Sequence, residues 1–237
     1  MDSIGILYSL LDGKITVNKY FEKWSPHIIE NVRHRNPKCG FAYDNPPDNI
    51  LLGLCEMHAN VFSRYRYWVN DNIILVHPFY VFLTHYHLLE DKTKEEAKEY
   101  LETMLEFLQE ANALANVILL DTIHHYAAVS SHLLELGLAN YVIFTLYDDG
   151  RSLYPNSINI LSGTRVFLAG GYNNRCLFSS IRDISEVQCD MFAIKGLVLN
   201  SPRDNLNTII ASSVVGIDQS RLITIEDVKK QIQAKVL

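Results

Sequence analysis

The 237-residue sequence predicts an α/β protein: an open, mainly parallel sheet in a three-layer, Rossmann-like sandwich, with an N-terminal hairpin and helical elaboration. Three observations lead there. Short runs such as Ile73-Ile74-Leu75-Val76 and Val117-Ile118-Leu119-Leu120 are wholly apolar, without the alternation of a half-exposed strand; such runs mark strands covered on both faces. Segments of helical periodicity separate them, which is the βαβ rhythm whose right-handed crossovers build a layered sheet. Each run also stops abruptly at polar or glycine residues. An eight-fold barrel is disfavoured, because the runs are too few.

Taken in order, residues 4–11 are apolar and end at the turn pair Asp12-Gly13, with Ile15-Thr16-Val17 beyond, so a short hairpin is expected. Residues 18–33 read as helical, interrupted at Pro26. Residues 36–49 hold three prolines and read as loop, and residues 50–62 return to helical spacing. Residues 1–70 are expected to pack as an elaboration on an α/β domain of residues 71–237. The first central strand is residues 73–76. A helix over residues 93–115 follows, with Thr93 as its cap and Ala97, Leu101, Leu105 and Leu108 as its apolar stripe. The second strand, residues 117–120, leads to a helix over 124–136 that stops at Gly137. A third strand covers 141–146. After a Pro- and Ser-containing loop without a clear helix come a fourth at Val166-Phe167-Leu168-Ala169 and a short helix over 174–184. Strands at 194–199 and 209–215 and a helix over 224–233, opened by Thr224-Ile225-Glu226-Asp227, complete the prediction.

Composition narrows the function classes. Apolar residues make up 48% and charged residues 20%, and the net charge is −6, which argues against nonspecific binding to nucleic acid or anionic lipid. The basic stretch 33–38 is too short to reverse that. Arg64-Tyr65-Arg66-Tyr67-Trp68 superficially suggests a base-stacking surface, but reads better as a segment packed on the sheet with its arginines extended to solvent. No apolar stretch reaches the roughly 18 residues of a membrane span, and no signal-like run opens the chain, so the expected location is cytoplasmic. The cysteines Cys39, Cys55, Cys176 and Cys189 lie far apart and are expected to be free thiols. Thirteen tyrosines and ten phenylalanines fit a homo-oligomer.

In an open α/β sheet, ligands sit beyond the carboxyl ends of the strands. Those positions here hold His77; Asp121 with His124 and His125; Asp148 and Asp149; then Gly170 and Gly171 with Asn173, Asn174 and Cys176. His77 is a candidate base, or a residue that caps the sheet. Asp121, His125, Asp148 and Asp149 are ligand types suited to a divalent metal ion, though their spacing matches no local metal motif; the alternative for Asp121, His124 and His125 is a helix N-cap region with one solvent-facing histidine, and for Asp148-Asp149-Gly150 a turn. Gly170 and Gly171 with Asn173 and Asn174 could cradle an oxyanion or phosphate on backbone N–H groups. The pair is not a dinucleotide fingerprint, which needs G-x-G-x-x-G after the first strand. Cys176 would stand at the positive end of the short helix, where a thiolate is stabilised, or it simply packs that helix. His85 and His87 either border the crevice or face solvent. Cys55 and His58 form half of a zinc pattern, for which Cys39 and His34 are the candidates to supply the other half, and core packing of Cys55 is the alternative.

The segment Gly170-Gly171-Tyr172-Asn173-Asn174-Arg175-Cys176 resembles the cysteine-bearing segment of isochorismatase-like hydrolases, in which a glycine-containing turn leads into a helix carrying the nucleophilic cysteine. The resemblance covers about a dozen residues. It implies a nucleophilic role for Cys176; the acidic residue and lysine of that family have no match at the expected places upstream, Asp121 lying too close to Cys176. The leading expectation is a hydrolase-type enzyme acting on a small polar or phosphorylated substrate, with His77, Asp121, His124 and Cys176 in catalytic roles. The alternatives are a noncatalytic nucleotide- or metabolite-binding module using the same crevice, and an oligomeric scaffold.

Overall fold

The computed structural model describes residues 69–122, 125–145, 150–152, 155–204 and 208–234. The expected N-terminal hairpin and helices, the Cys39/Cys55/His58 pattern and the Arg64–Trp68 cluster lie outside these residues, as do His124, Asp148 and Asp149. What is described is a six-stranded sheet: β1 (Asp71–Val76), β2 (Asn116–Asp121), β3 (Tyr141–Phe144), β4 (Arg165–Gly171), β5 (Asp190–Leu199) and β6 (Leu222–Ile223). The order across the sheet is β3-β2-β1-β4-β5-β6, and every paired strand is parallel.

Strand pleating divides the apolar runs between two layers. Ile73, Leu75, Val117, Leu119 and Phe167 face one side, under helix α1 (Asp91–Ala111) and the C-terminal helix α4 (Ile225–Gln233). Ile74, Val76, Ile118, Leu120, Val166 and Leu168 face the other, under α3 (Cys176–Ser185) and the 3-10 helix Pro155–Leu161. The three layers predicted from uninterrupted apolar runs are therefore present, and both faces of the central strands are fully buried.

Several elements differ in extent from the prediction. The helix of residues 93–115 runs from Asp91 to Ala111, because Thr93 does not cap it: its hydroxyl donates to the Glu90 carbonyl at 3.0 Å from inside the first turn. The helix after β2 opens as a π-helical turn, Tyr126–Ser130, before α2 (Ser131–Glu135). It stops where expected: Gly137 takes φ +72°, and the N–H groups of Gly137 and Leu138 turn back to Leu134 and Leu133. The Thr224 capping box forms as predicted, Thr224 and Asp227 each bonding the other's backbone.

One predicted strand is not formed. Residues 209–215 contribute a single antiparallel bridge, Ile210 with Leu199, and the sixth strand is Leu222–Ile223. The apolar run is broken by Ser212-Ser213, and the Ser213 carbonyl and Val215 N–H bond the Asn173 side chain in place of a ladder. At the opposite edge of the sheet, Arg165 donates from Nε and Nη2 to Asp71 at 2.8 Å each and from Nη2 to the Gln231 carbonyl, tying β4, β1 and α4 together. Cys176 and Cys189 are free thiols. Among the described residues no helix is long and apolar enough to cross a membrane.

Candidate functional site

The strand order fixes where a crevice opens. From β1 the chain moves outward to β2 and β3; from β4 it moves the other way to β5 and β6. The connections diverge between β1 and β4, and this switch point is where open α/β sheets leave a cleft at their carboxyl edge. A cavity of about 160 Å³ lies there, lined by Tyr80, His85, Tyr172, Arg175, Cys176, Ser201 and Arg203. Tyr80 and His85 come from the segment after β1, Tyr172, Arg175 and Cys176 from that after β4, and Ser201 and Arg203 from that after β5.

Cys176 is the first residue of α3 and is only 2% exposed, its access being the cavity. Around it the backbone is tightly packed. Gly150, at φ +74°, could not carry a Cβ, which would stand 2.1 Å from the Cys176 carbonyl oxygen. Ser180 donates to the carbonyls of Gly150 and Cys176, at 2.6 and 3.0 Å, and so pins the loop after β3 against the first turn of α3. The Gly171–Tyr172 peptide is cis, and the Leu177 N–H bonds the Tyr172 carbonyl at 3.1 Å.

The aromatic wall is continuous. His85 Nδ1 and the Tyr172 hydroxyl are 2.9 Å apart, and the Tyr80 ring lies 5.1 Å from Tyr172, 5.7 Å from His85 and 5.0 Å from His125, centroid to centroid. Behind Tyr80 stand His77 and His125, edge to face at 5.8 Å. His77 is fully buried, with Nε2 at 2.7 Å from the Thr145 hydroxyl and its N–H bonded to the Leu120 carbonyl. Its φ of +41° falls in the left-handed region that side chains avoid. Asp121, also fully buried, accepts from the Ser130 hydroxyl and from the Thr122 N–H at 2.9 Å, and its Oδ1 lies 3.4 Å from His125 Nδ1. Thr122 in turn accepts from the His125 N–H at 3.1 Å and so caps the helix that carries this histidine.

The predicted residues thus fall into three groups. Cys176 lines the cavity. His77, Asp121 and His125 cluster one layer deeper, outside the lining. Gly170 and Gly171 are strand residues set by packing: Gly170, at φ +97°, would place a Cβ 2.0 Å from the Val76 carbonyl oxygen, and Gly171 would place one 2.9 Å from the Leu199 side chain. Asn173 is committed to the chain after β5, donating to the Asn200 side chain and the Ser213 carbonyl and accepting from the Val215 N–H, while Asn174 is exposed. Among the described residues no group of three or more His, Cys, Asp and Glu side chains is disposed to hold a metal ion.

Tyr80, Tyr172, Arg175, Ser201 and Arg203 were not singled out in the sequence. Arg175 adjoins Cys176, and Ser201 and Arg203 follow the fifth strand, so the strand-end rule applied to β5 as well as β1–β4 points to them. Two of the lining residues carry full positive charge. Arg175 pairs with Asp204 at 3.3 Å. Among the described residues the lining contains no lysine and no carboxylate.

No protein-family model matches the chain, and no curated protein matches it. Among solved structures, it is similar to a cysteine hydrolase from Pseudomonas syringae pv. phaseolicola 1448A, at 15% identity and a TM-score of 0.46, over 72% of this chain and 95% of that one.

Proposed function

We propose that the protein is a thiol-dependent hydrolase of a small polar substrate, with Cys176 as the nucleophile in the cavity between β1 and β4. The observation that carries this reading is the position of Cys176: the first residue of a ten-residue helix, lining a cavity at the switch point of the sheet. Negative charge on its sulfur would lie at the positive end of the α3 dipole, with Arg175 beside it, and both favour a thiolate there.

In acyl transfer, Sγ bonds the substrate carbonyl carbon and the developing oxyanion draws on cationic and hydroxyl donors in the wall, Arg175 and Ser201. The bond from that carbon to the leaving nitrogen or oxygen then breaks, leaving a thioester. Among the described residues of the lining His85 is the one imidazole, and it is the candidate to take the thiol proton and return it to the leaving group. Its Nδ1 contact with the Tyr172 hydroxyl fixes the orientation of its ring. Water then cleaves the thioester and restores the thiol. His77, Asp121 and His125 act from behind Tyr80 as positioning residues that hold the aromatic wall.

The test is hydrolysis of a panel of small amides, esters and carbamoyl compounds, with p-nitrophenyl acetate as a general acyl donor, followed by intact-mass and peptide mass spectrometry. The expected outcome is turnover with an acyl adduct mapping to Cys176, and a loss of about 10³-fold or more in Cys176→Ser. Undiminished turnover in Cys176→Ser would remove Cys176 as the nucleophile, and neither turnover nor an adduct at Cys176 with any donor would favour the noncatalytic binding module instead.

A further inference from the structure

The charges around the cavity are unequal in a way that specifies its ligand. Among the described residues its lining holds two guanidinium groups, Arg175 and Arg203, and no carboxylate. Asp204 stands 3.3 Å from Arg175 and offsets that charge. Among the described residues no carboxylate pairs with Arg203, whose side chain stays at the exposed mouth. The Arg203 backbone is held in place by its N–H bond to the Ser201 hydroxyl, at 3.3 Å. The chain that carries it is strapped down on both sides: Asn173 holds Asn200, Ser213 and Val215, and the Glu96 carboxylate accepts from the Thr208 hydroxyl and the Ile209 N–H at 2.6 and 2.9 Å. A cationic group is thus presented on an anchored support, beside the candidate nucleophile, with no carboxylate paired to it among the described residues.

Resting on the hydrolase reading above, we infer that the substrate carries an oxyanion, a carboxylate or a phosphate, and that Arg203 is the residue that selects it. A guanidinium fork matches either group through two parallel N–H bonds. A cavity of about 160 Å³ suits a small molecule. Arg175, already paired, adjusts the field at Sγ, whereas Arg203 supplies binding. This assigns the anion-recognition role to a guanidinium after β5. The glycines at the end of β4 are close-packed against Val76 and Leu199.

The experiment is titration calorimetry of the full chain with malonate and, separately, with inorganic phosphate, at matched ionic strength. Four variants are compared: Arg203→Gln, Arg203→Lys, Cys176→Ser, and Lys195→Gln as an exposed control with the same charge change outside the cavity. Binding of at least one probe is expected, about tenfold weaker in Arg203→Gln, which corresponds to roughly 1.4 kcal/mol. Arg203→Lys should lose less, Lys195→Gln should bind as the wild type does, and Cys176→Ser, which removes any thiolate charge from the cavity, should bind no more weakly than the wild type. Malonate alone binding assigns a carboxylate, and phosphate alone a phosphate ester; both support the inference. Binding of neither probe, or equal weakening by Arg203→Gln and Lys195→Gln, would overturn it. Because Cys176→Ser is expected to keep anion binding while losing turnover, failure of the anion inference and failure of the nucleophile reading are separate results.

Discussion

Tyr100 presents its hydroxyl from the buried face of α1 to the Pro78 carbonyl, at 3.2 Å, directly beneath the segment that carries Tyr80. Burial, and secondarily the charge of Asp121, raises this phenol well above its ordinary value near 10. The fold therefore favours the protonated form. Its contribution is complete below about pH 10, where the unfolded chain's phenol is also protonated, and is lost as pH rises from there toward the folded value. Tyr100→Phe should cost about 1 kcal/mol at neutral pH, for the lost hydrogen bond. Above pH 10 the wild type should lose stability more steeply than the variant, so that the gap narrows. Urea unfolding from pH 8 to pH 11 measures both. At this scale the sequence was only partly legible. Cys176 was found because it follows a glycine turn after a buried strand, while Tyr80 and Tyr172 resemble core aromatics in any sequence. His77 and Asp121 were correctly placed at strand ends, yet a strand end does not disclose whether a side chain turns into the cavity or behind its wall.

The central strands and helices were legible because their physics is local. Ile73-Ile74-Leu75-Val76 has no polar residue to turn outward, so both faces must be covered, and β1 is buried throughout. α1 was legible by its stripe, in which Ala97, Leu101, Leu105 and Leu108 are all buried, although its start was misread because the Thr93 hydroxyl donates to the carbonyl of Glu90, the residue just before the helix. The missing strand at 209–215 failed for a tertiary reason: an apolar run became a strap once the Asn173 side chain claimed its backbone groups. Close approach is likewise invisible to periodicity. Where β4 passes β1, the Gly170 Cα lies so near the Val76 carbonyl that no side chain fits, and its φ of +97° is one that L-residues avoid. Gly170→Ala is expected to destabilise by about 4 kcal/mol or more, because both strain and clash act on the central strand pair. Urea unfolding followed by circular dichroism checks this, and a loss under about 1 kcal/mol would show that the strands can part without penalty.

For the molecule as a whole, strand order converts a list of strand ends into a site. The sequence offered eleven candidates at four strand ends without saying which strands are neighbours. Divergence of the connections between β1 and β4 brings Tyr80 and His85 against Tyr172 and Cys176, and the position of β5 beside β4 adds Ser201 and Arg203. At the opposite edge Arg165 pairs with Asp71, while the cavity lies at the carboxyl edge. The central claim is that this arrangement makes Cys176 a reactive nucleophile, and Cys189 offers an internal control. Burial, and then the neighbouring Asp190 charge, raises the Cys189 thiol above its ordinary value, so it stays protonated through neutral pH. The most direct measurement is the rate of iodoacetamide modification at each cysteine of the native protein at neutral pH, followed by peptide mass spectrometry. The account predicts that Cys176, reached through the cavity, is modified at least about tenfold faster than Cys189. Cys176 remaining unmodified under conditions that label Cys189 would contradict it.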